Sequence, residues 1–420
     1  MARFGIKPGL DRIKFLLNCL NNPQDNFLSV HIAGTNGKGS VAAIINSILT
    51  AAGYKVGGYS SPHLHSYCER IKINNRVITS EAMVALLRII EPLTVRCGLE
   101  EAGSPTEFEV LTAIAFQYFN REKVDIGVIE AGMGGVHDST NVINPLVTAI
   151  TNVAMDHMTY LGTSLEDIAA NKAGITKPGM PMVYGDDDPR MLDVLRNEVA
   201  SRGSTLHLAR DLVETKRIED LGLGGHIVDI KTPRFSITHA RYALPGRFQL
   251  NNLTTALAAL EFLYRSGLEV NTEHVLQGME EVRWPGRLEL VHENPTVIID
   301  AAHNPHGARS IASALNEIFP KRSRILVIGV LDDKDDYGIF DNLSKGTSYC
   351  IITRPESERG KNWRLRLETA KRVFPAAIGI EDITEAIEHA MAVINQDDYI
   401  LITGSFYTID KGRRMFTKTY

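Results

Sequence analysis

Residues 34–40 read Gly34-Thr35-Asn36-Gly37-Lys38-Gly39-Ser40, and the chain is organised around them. An apolar run, Phe27 to Ala33, leads in, and a helix-like segment, Val41 to Ala52, leads out. Strand, glycine loop and helix in that order cradle phosphate. Glycines let backbone N–H groups close around the anion, and the helix N-terminus adds partial positive charge. Lys38 offers a point charge to the terminal phosphates, and Ser40 a hydroxyl to Mg2+. The spacing is a variant of the usual P-loop. Ile32 stands where the first glycine normally falls, and Gly39 separates Lys38 from Ser40. The plain alternative is a glycine turn without a ligand.

Three more candidates stand just beyond apolar runs. Ser60-Ser61-Pro62-His63-Leu64 follows the strand-like Lys55 to Tyr59, Glu130 closes Asp125 to Glu130, and Asp156-His157 follows Leu146 to Thr151. Ligands bind at the carboxyl ends of parallel strands, so these hydroxyls, this carboxylate and this imidazole suit a metal or substrate beside the phosphate. Their ordinary alternatives are a Ser-Pro turn, a solvated strand-end carboxylate and a surface histidine. Lys172-Ala173-Gly174-Ile175 closes a helix that begins near Ser164. A lone lysine there reads as a solvated or helix-capping residue.

These residues need a scaffold, and the sequence supplies one. Leu10, Ile13, Leu16, Leu17 and Leu20 recur at helical spacing ahead of the loop. Arg70 to Ile78 alternates around Asn74-Asn75, a hairpin signal, and Ser80 to Arg96 and Thr106 to Asn120 read as helices. Thr205 to Ala243 is short and alternating, an antiparallel excursion, before helices at Asn251 to Phe262 and Thr272 to Val282. Trp284-Pro285-Gly286-Arg287 breaks the pattern, which sets the domains at 1–288 and 289–420. The second restarts an α/β alternation: strands at Thr296 to Ile299, Ile325 to Ile328, Ser348 to Ile352 and Tyr399 to Ile402, with helices between. The predicted fold is α/β, a P-loop ATPase-type domain with a mostly parallel sheet plus a smaller Rossmann-like domain. Asp300-Ala301-Ala302-His303-Asn304-Pro305 follows the second domain's first strand, where a glycine fingerprint would stand.

Composition excludes other classes. The chain of 420 residues is 44% hydrophobic and 23% charged with net charge −5, so it makes no general electrostatic case for nucleic acid or an anionic membrane. Cys19, Cys68, Cys97 and Cys350 are scattered, without metal-ligand spacing, and read as free thiols of a reducing compartment. No signal peptide or membrane span is visible. The cytoplasm and a monomer are the expectations.

Taken in order, the motifs resemble the folylpolyglutamate synthase and dihydrofolate synthase family of Mur-type amide ligases. The resemblance covers nearly the whole chain. Its marks are residues 34–40, Ser60 to Leu64, Glu69-Arg70-Ile71, Glu130-Ala131-Gly132-Met133-Gly134-Gly135 and Asp138-Ser139-Thr140-Asn141. They continue with Asp156-His157, Lys172 to Ile175, Trp284 to Arg287, Asp300 to Pro305, Asp333-Lys334-Asp335 and Thr403-Gly404-Ser405. The resemblance implies roles. Gly34 to Ser40, Asn252, Arg287 and Asp300 match ATP contacts, with Lys38 catalytic. Ser40, Ser61, Glu130 and His157 match magnesium ligands. Lys172 matches a lysine that becomes carbamylated and so joins them. Ser61, Pro62, His63 and Arg70 lie in a segment matching the pteridine loop, His303 matches a catalytic residue of the glutamate site, and Ser405 a substrate-binding residue. Val136-His137 stands where many members have Arg-Leu, near the expected pterin site.

The implied reaction uses ATP and Mg2+ to add L-glutamate to the glutamyl carboxylate of a tetrahydrofolate through an acyl phosphate. Dihydrofolate synthesis from dihydropteroate, in addition or alone, and another Mur-type ligation stay open at this point. A muramyl ligase would carry a domain ahead of the loop, and 33 residues precede Gly34. A non-catalytic nucleotide switch would not need Lys172, Asp300 or His303.

Overall fold

The protein's structure, a computed structural model, describes residues 7–101 and 103–417. The chain forms two compact units. The first holds the chain up to Lys216 with Val228–Tyr242 and Leu250–Val282, and the second holds Arg217–Ile227, Ala243–Gln249 and Arg283 onward.

The first unit is built on β1 (Leu28–Ala33), β2 (Val56–Tyr59), β3 (Ile71–Ile73), β4 (Arg76–Val77), β5 (Ile126–Glu130), β6 (Val147–Ile150), β7 (Met182–Tyr184) and β8 (Leu206–Leu208). They form one sheet in the order β4-β3-β2-β5-β1-β6-β7-β8. Strands β2 and β5 to β8 run parallel with β1, whereas at one edge β3 pairs antiparallel with β2 and β4 antiparallel with β3. Unbroken apolar runs produce this: β2, β5 and β6 are buried at every residue, as strands covered on both faces must be. Asn74 and Asn75 make the hairpin turn between β3 and β4 at φ +47° and +61°, a left-handed pair that asparagine tolerates. One core joins the helices Asp11–Cys19, Ser80–Cys97 and Glu107–Arg121 to Tyr59, Ile71 and Ile129. A second joins Leu165–Ala173 and Pro189–Ser201 to Ala33, Ile150, Met182 and Tyr184.

Two features depart from the pattern reading. Leu206–Leu208, expected in the antiparallel excursion, pairs in parallel with β7 and extends the main sheet. Only β9 (Glu214–Asp220), β10 (His226–Lys231) and β11 (Ser236–Tyr242) form a separate sheet. The strand Met182–Tyr184 was also hidden, because three residues are too few to show a period.

A buried ion pair ties the first helix to this unit. Arg12 Nε donates to Glu109 Oε1 at 3.0 Å, their side chains 8% and 2% exposed. Glu109 also caps its own helix by accepting from Thr106 N. Removing one partner strands the other charge. Arg12→Ala is expected to cost about 3–5 kcal/mol in a urea titration followed by circular dichroism. A loss below about 1 kcal/mol, the size of an exposed pair, would contradict this account.

The second unit holds β12 (Glu289–His292), β13 (Val297–Ile299), β14 (Arg324–Ile328), β15 (Thr347–Ile352), β16 (Ala377–Gly379) and β17 (Tyr399–Thr403), ordered β12-β13-β17-β14-β15-β16. All pairings are parallel except β12 with β13. The turn at 284–288, which the pattern reading gave to the first domain, falls in this unit. Its backbone explains why: Ala301 N donates to Gly286 O and Leu288 N to Asp300 Oδ2, both at 2.9 Å.

Candidate active site

Strand β1 lies between β5 and β6, so its exit opens beside theirs. The loop after it is fitted rather than loose. Gly34 has φ +143° and Gly37 φ +87°, and a Cβ on each would lie 1.9 Å from Thr151 Oγ1 and 2.4 Å from Asn252 Oδ1. Only glycine satisfies both the backbone and the space. The residues after β6 hold the loop from behind. Thr35 N donates to Asn152 O, Asn36 N to Asn152 Oδ1, both at 3.0 Å, and Thr151 Oγ1 donates to Asn36 O at 2.6 Å. Thr35 Oγ1 donates to Ala154 O at 3.1 Å. The following helix starts earlier than its apolar pattern, at Lys38, so Lys38, Gly39 and Ser40 fill its first turn. That turn holds no acid, which leaves the helix's partial positive charge for an anion. Lys38 Nζ donates to Gly34 O at 3.1 Å and Thr35 O at 3.2 Å.

Lys172 is not a solvated cap. Its side chain is buried and its Nζ donates to Gly34 O at 2.9 Å, the same carbonyl that Lys38 uses. Burial, helped by the charge of Lys38, pulls its pKa down to about 7. Its helix is clasped to the glycine segment after β5: Gly135 N donates to Asn171 Oδ1 at 3.0 Å and Val136 N to Asn171 O at 3.1 Å. Val136 packs on Gly174, where a Cβ would meet its Cγ2 at 2.2 Å, and His137 is exposed.

Glu130, the last residue of β5, is buried and accepts from Ser61 N at 3.2 Å. His157 stands at φ +51°, its N–H donating to Asp156 Oδ1 at 2.8 Å and its ring 35% exposed. Among the described residues no group of three or more His, Cys, Asp and Glu could hold a metal ion. The set of Ser40, Ser61, Glu130 and His157 offers one carboxylate, one imidazole and two hydroxyls. That chemistry fits Mg2+, which normally takes one or two carboxylates and completes its shell with phosphate and water.

The segment after Ser61 and Pro62 is braced by its own side chains. Glu69 accepts from the backbone N–H of Leu64, His65 and Ser66, each at 2.9 Å. Arg70 Nε donates to His63 Nδ1 at 2.9 Å, and the His63 and Tyr67 rings lie 4.4 Å apart. Tyr67, which the motif reading passed over, is 44% exposed beside them.

In the second unit Asp300 follows β13 and is buried. It does not cap the helix Pro305–Ile318, a task Asn304 performs by accepting from Gly307 N at 2.8 Å. Both Asp300 oxygens accept backbone donors instead, Leu288 N at 2.9 Å and Ala302 N at 2.8 Å. Burial raises its pKa, and Arg287 opposes that. Arg287 lies 5.6 Å from the Phe406 ring centroid and the His303 ring 6.0 Å from it, so Phe406 neighbours both, a residue the motifs did not reveal. Ser405 is buried as the cap of the helix Phe406–Phe416, accepting from Thr408 N at 3.2 Å.

Both units match known domains. The Mur ligase middle domain matches residues 32–260, and the Mur ligase glutamate ligase domain matches residues 286–406. The chain is 34% identical over 417 residues to the dihydrofolate synthase/folylpolyglutamate synthase of Bacillus subtilis (98% of this chain, 96% of that one). The folylpolyglutamate synthase of Mycobacterium tuberculosis complexed with ADP superposes with a TM-score of 0.93 at 34% identity, covering 99% of this chain and 96% of that one. A bifunctional folylpolyglutamate synthase/dihydrofolate synthase with Mn, AMPPNP and L-glutamate bound gives 0.86 at 30% identity, covering 99% and 95%. Fold and phosphate loop define a Mur-type ligase. Within that class, the chain belongs to the dihydrofolate synthase/folylpolyglutamate synthase family.

Proposed function

We infer that this protein is an ATP-dependent, ADP-forming ligase that joins L-glutamate to the glutamyl carboxylate of a folate, and to dihydropteroate by the same chemistry. The observation that carries this reading is the meeting of Lys38 and Lys172 on the Gly34 carbonyl, inside a loop built for phosphate. Loop, lysines and family agree on ATP with Mg2+.

A carboxylate is a poor acyl donor until the γ-phosphate of ATP converts it to an acyl phosphate. The amine of glutamate then attacks, and phosphate leaves. Positioning and charge neutralisation supply most of such catalysis. Gly34 to Ser40 bind the phosphates, with Lys38 drawn from its loop carbonyls to the anion, and Asn252 supports Gly37. Ser40, Ser61, Glu130 and His157 would hold Mg2+, which would supply positive charge against the phosphates. Lys172 carries a carbamate, formed when its neutral amine adds CO2 and releases a proton, and so becomes an anionic ligand. Ser61, Pro62, His63 and Arg70 face the pterin end of the substrate. The second domain serves glutamate: Asp300 fixes the turn that carries Arg287, His303 orients the amino acid, and Ser405 holds the neighbouring helix. The same reading makes the protein a cytoplasmic monomer acting on small molecules without nucleic acid. The four free cysteines suit a reducing compartment, and the net charge of −5 gives nucleic acid no general attraction. No described helix is long and apolar enough to cross a membrane.

ADP release measured with dihydropteroate and with tetrahydrofolate tests this directly. Release should require glutamate and one of the two acids, and glutamate-independent turnover would refute a ligase. His303→Ala should raise the glutamate KM by about tenfold or more and leave ADP affinity unchanged. An unaltered glutamate KM would remove His303 from the site.

A further inference from the structure

One buried histidine has no part in that chemistry. His31 lies on β1, wholly buried, just ahead of the phosphate loop. Its Nε2 is 2.8 Å from Thr140 Oγ1. Thr140 has a single hydroxyl proton and donates it to Asp138 Oδ1 at 2.5 Å. It therefore accepts from His31, whose neutral ring carries its proton on Nε2. Burial, with a smaller push from Lys177, holds the His31 pKa down at about 3, so the ring remains neutral at physiological pH. Its Nδ1 has no hydrogen-bond partner among the described residues.

Asp138 passes the contact on. Its Oδ2 accepts from Met133 N at 2.8 Å and its Oδ1 also from Thr140 N at 3.0 Å. The chain of bonds thus joins the strand that feeds the phosphate loop to the segment that leaves Glu130. That segment ends on Gly135, whose N–H is held by Asn171, the neighbour of Lys172. Register reinforces this: Ile32 pairs with Glu130, so His31 sits one residue before the level of that carboxylate on the adjoining strand.

We propose that His31 is a positioning residue: through Thr140 and Asp138 it fixes residues 131–135 and thereby sets Glu130 and Lys172 for the metal and phosphate. The inference rests on the role given above to Glu130. An apolar residue of equal size would fill the core but leave the Thr140 hydroxyl without its donor and free to turn away from Asp138, which would loosen one of the bonds that fix that carboxylate. Outer partners of metal ligands are commonly worth about 10–100-fold in affinity.

Titrating Mn2+ into the ADP-saturated protein, followed by electron paramagnetic resonance, tests it. The proteins compared are wild type, His31→Met, His31→Gln and Thr140→Val. Methionine fills the space without a donor, whereas the glutamine amide nitrogen reaches the Nε2 position. His31→Met and Thr140→Val should bind Mn2+ about 10–100-fold more weakly, with ADP affinity in the absence of metal unchanged. His31→Gln should recover most of the loss. Equal Mn2+ affinity throughout would overturn the proposal, as would a loss in His31→Met that glutamine fails to restore and that ADP affinity shares. A wild type that binds no Mn2+ would instead remove the metal reading of Glu130, and this inference with it. Should His31→Met fail to fold, the 15N spectrum of wild-type His31 decides: protonation on Nδ1 in place of Nε2 would break the chain.

Discussion

Lys172→Met is expected to make the protein more stable and to abolish ligation. The ammonium is buried and its pKa falls from 10.5 to about 7, first through burial and then through Lys38. Below pH 7 both the folded and the unfolded chain carry the proton, and the folded one bears the full burial cost. Each pKa unit is worth about 1.4 kcal/mol, so that cost is on the order of 5 kcal/mol. Between pH 7 and 10.5 the unfolded chain binds more protons than the folded one, and stability rises with pH until the cost is gone. Methionine matches the length of the stem without the charge. In buffer free of CO2, Lys172→Met should therefore exceed wild type in stability by several kcal/mol at pH 6 to 7, with the gap closing toward pH 10. Ligation should fall by about a thousandfold or more, because no carbamate can form. Acetate or formate should partly restore Lys172→Ala, by placing a carboxylate in the vacated space. Thermal unfolding across pH and ligation assays decide both halves. A less stable Lys172→Met, or one that retains ligation, would remove Lys172 from the role given to it.

That site was partly legible because some of its chemistry is local in sequence. Seven consecutive residues announce the phosphate loop, and apolar runs ending in Glu130 and leading to His157 announce strand ends. What the sequence conceals is partner choice across long separations. Thr151, Asn152 and Ala154 hold the loop from more than 110 residues away, and nothing in their types marks them as its support. Lys172 looked ordinary because its environment, not its neighbours in sequence, removes it from water. Asp300 illustrates the reverse. The resemblance matches it to an ATP contact, and what the motif did not reveal is that its oxygens also serve the backbone of the turn carrying Arg287. The fold was legible where periods were long, as in the helices Ser80–Cys97 and Glu107–Arg121, whose bounds fall within a residue of the expected Ser80 to Arg96 and Thr106 to Asn120. It was not where elements were short, as in β7 and β16, each three residues long.

Lys38→Ala should cost about a thousandfold or more in ligation, the scale on which a charge aimed at a transferring phosphoryl group acts. The fold should survive. Lys38 contributes two hydrogen bonds to carbonyls of its own loop, while the loop's shape comes from Gly34, Gly37 and the donors of Thr35, Asn36 and Thr151. A second effect separates this account from simple loss of a phosphate ligand. Lys38 and Lys172 share the Gly34 carbonyl, and the charge of Lys38 helps hold the Lys172 pKa down. Removing Lys38 should thus raise the Lys172 pKa, leave less neutral amine at pH 7, and weaken carbamate formation. The 13C signal of protein incubated with labelled bicarbonate, followed against pH, reads this directly: the onset should move to higher pH in Lys38→Ala. An onset at the wild-type pH would mean that the two ammonium groups do not sense each other. Ligation near the wild-type rate would show that this lysine does not serve the phosphates, and the assignment of the loop would fall with it.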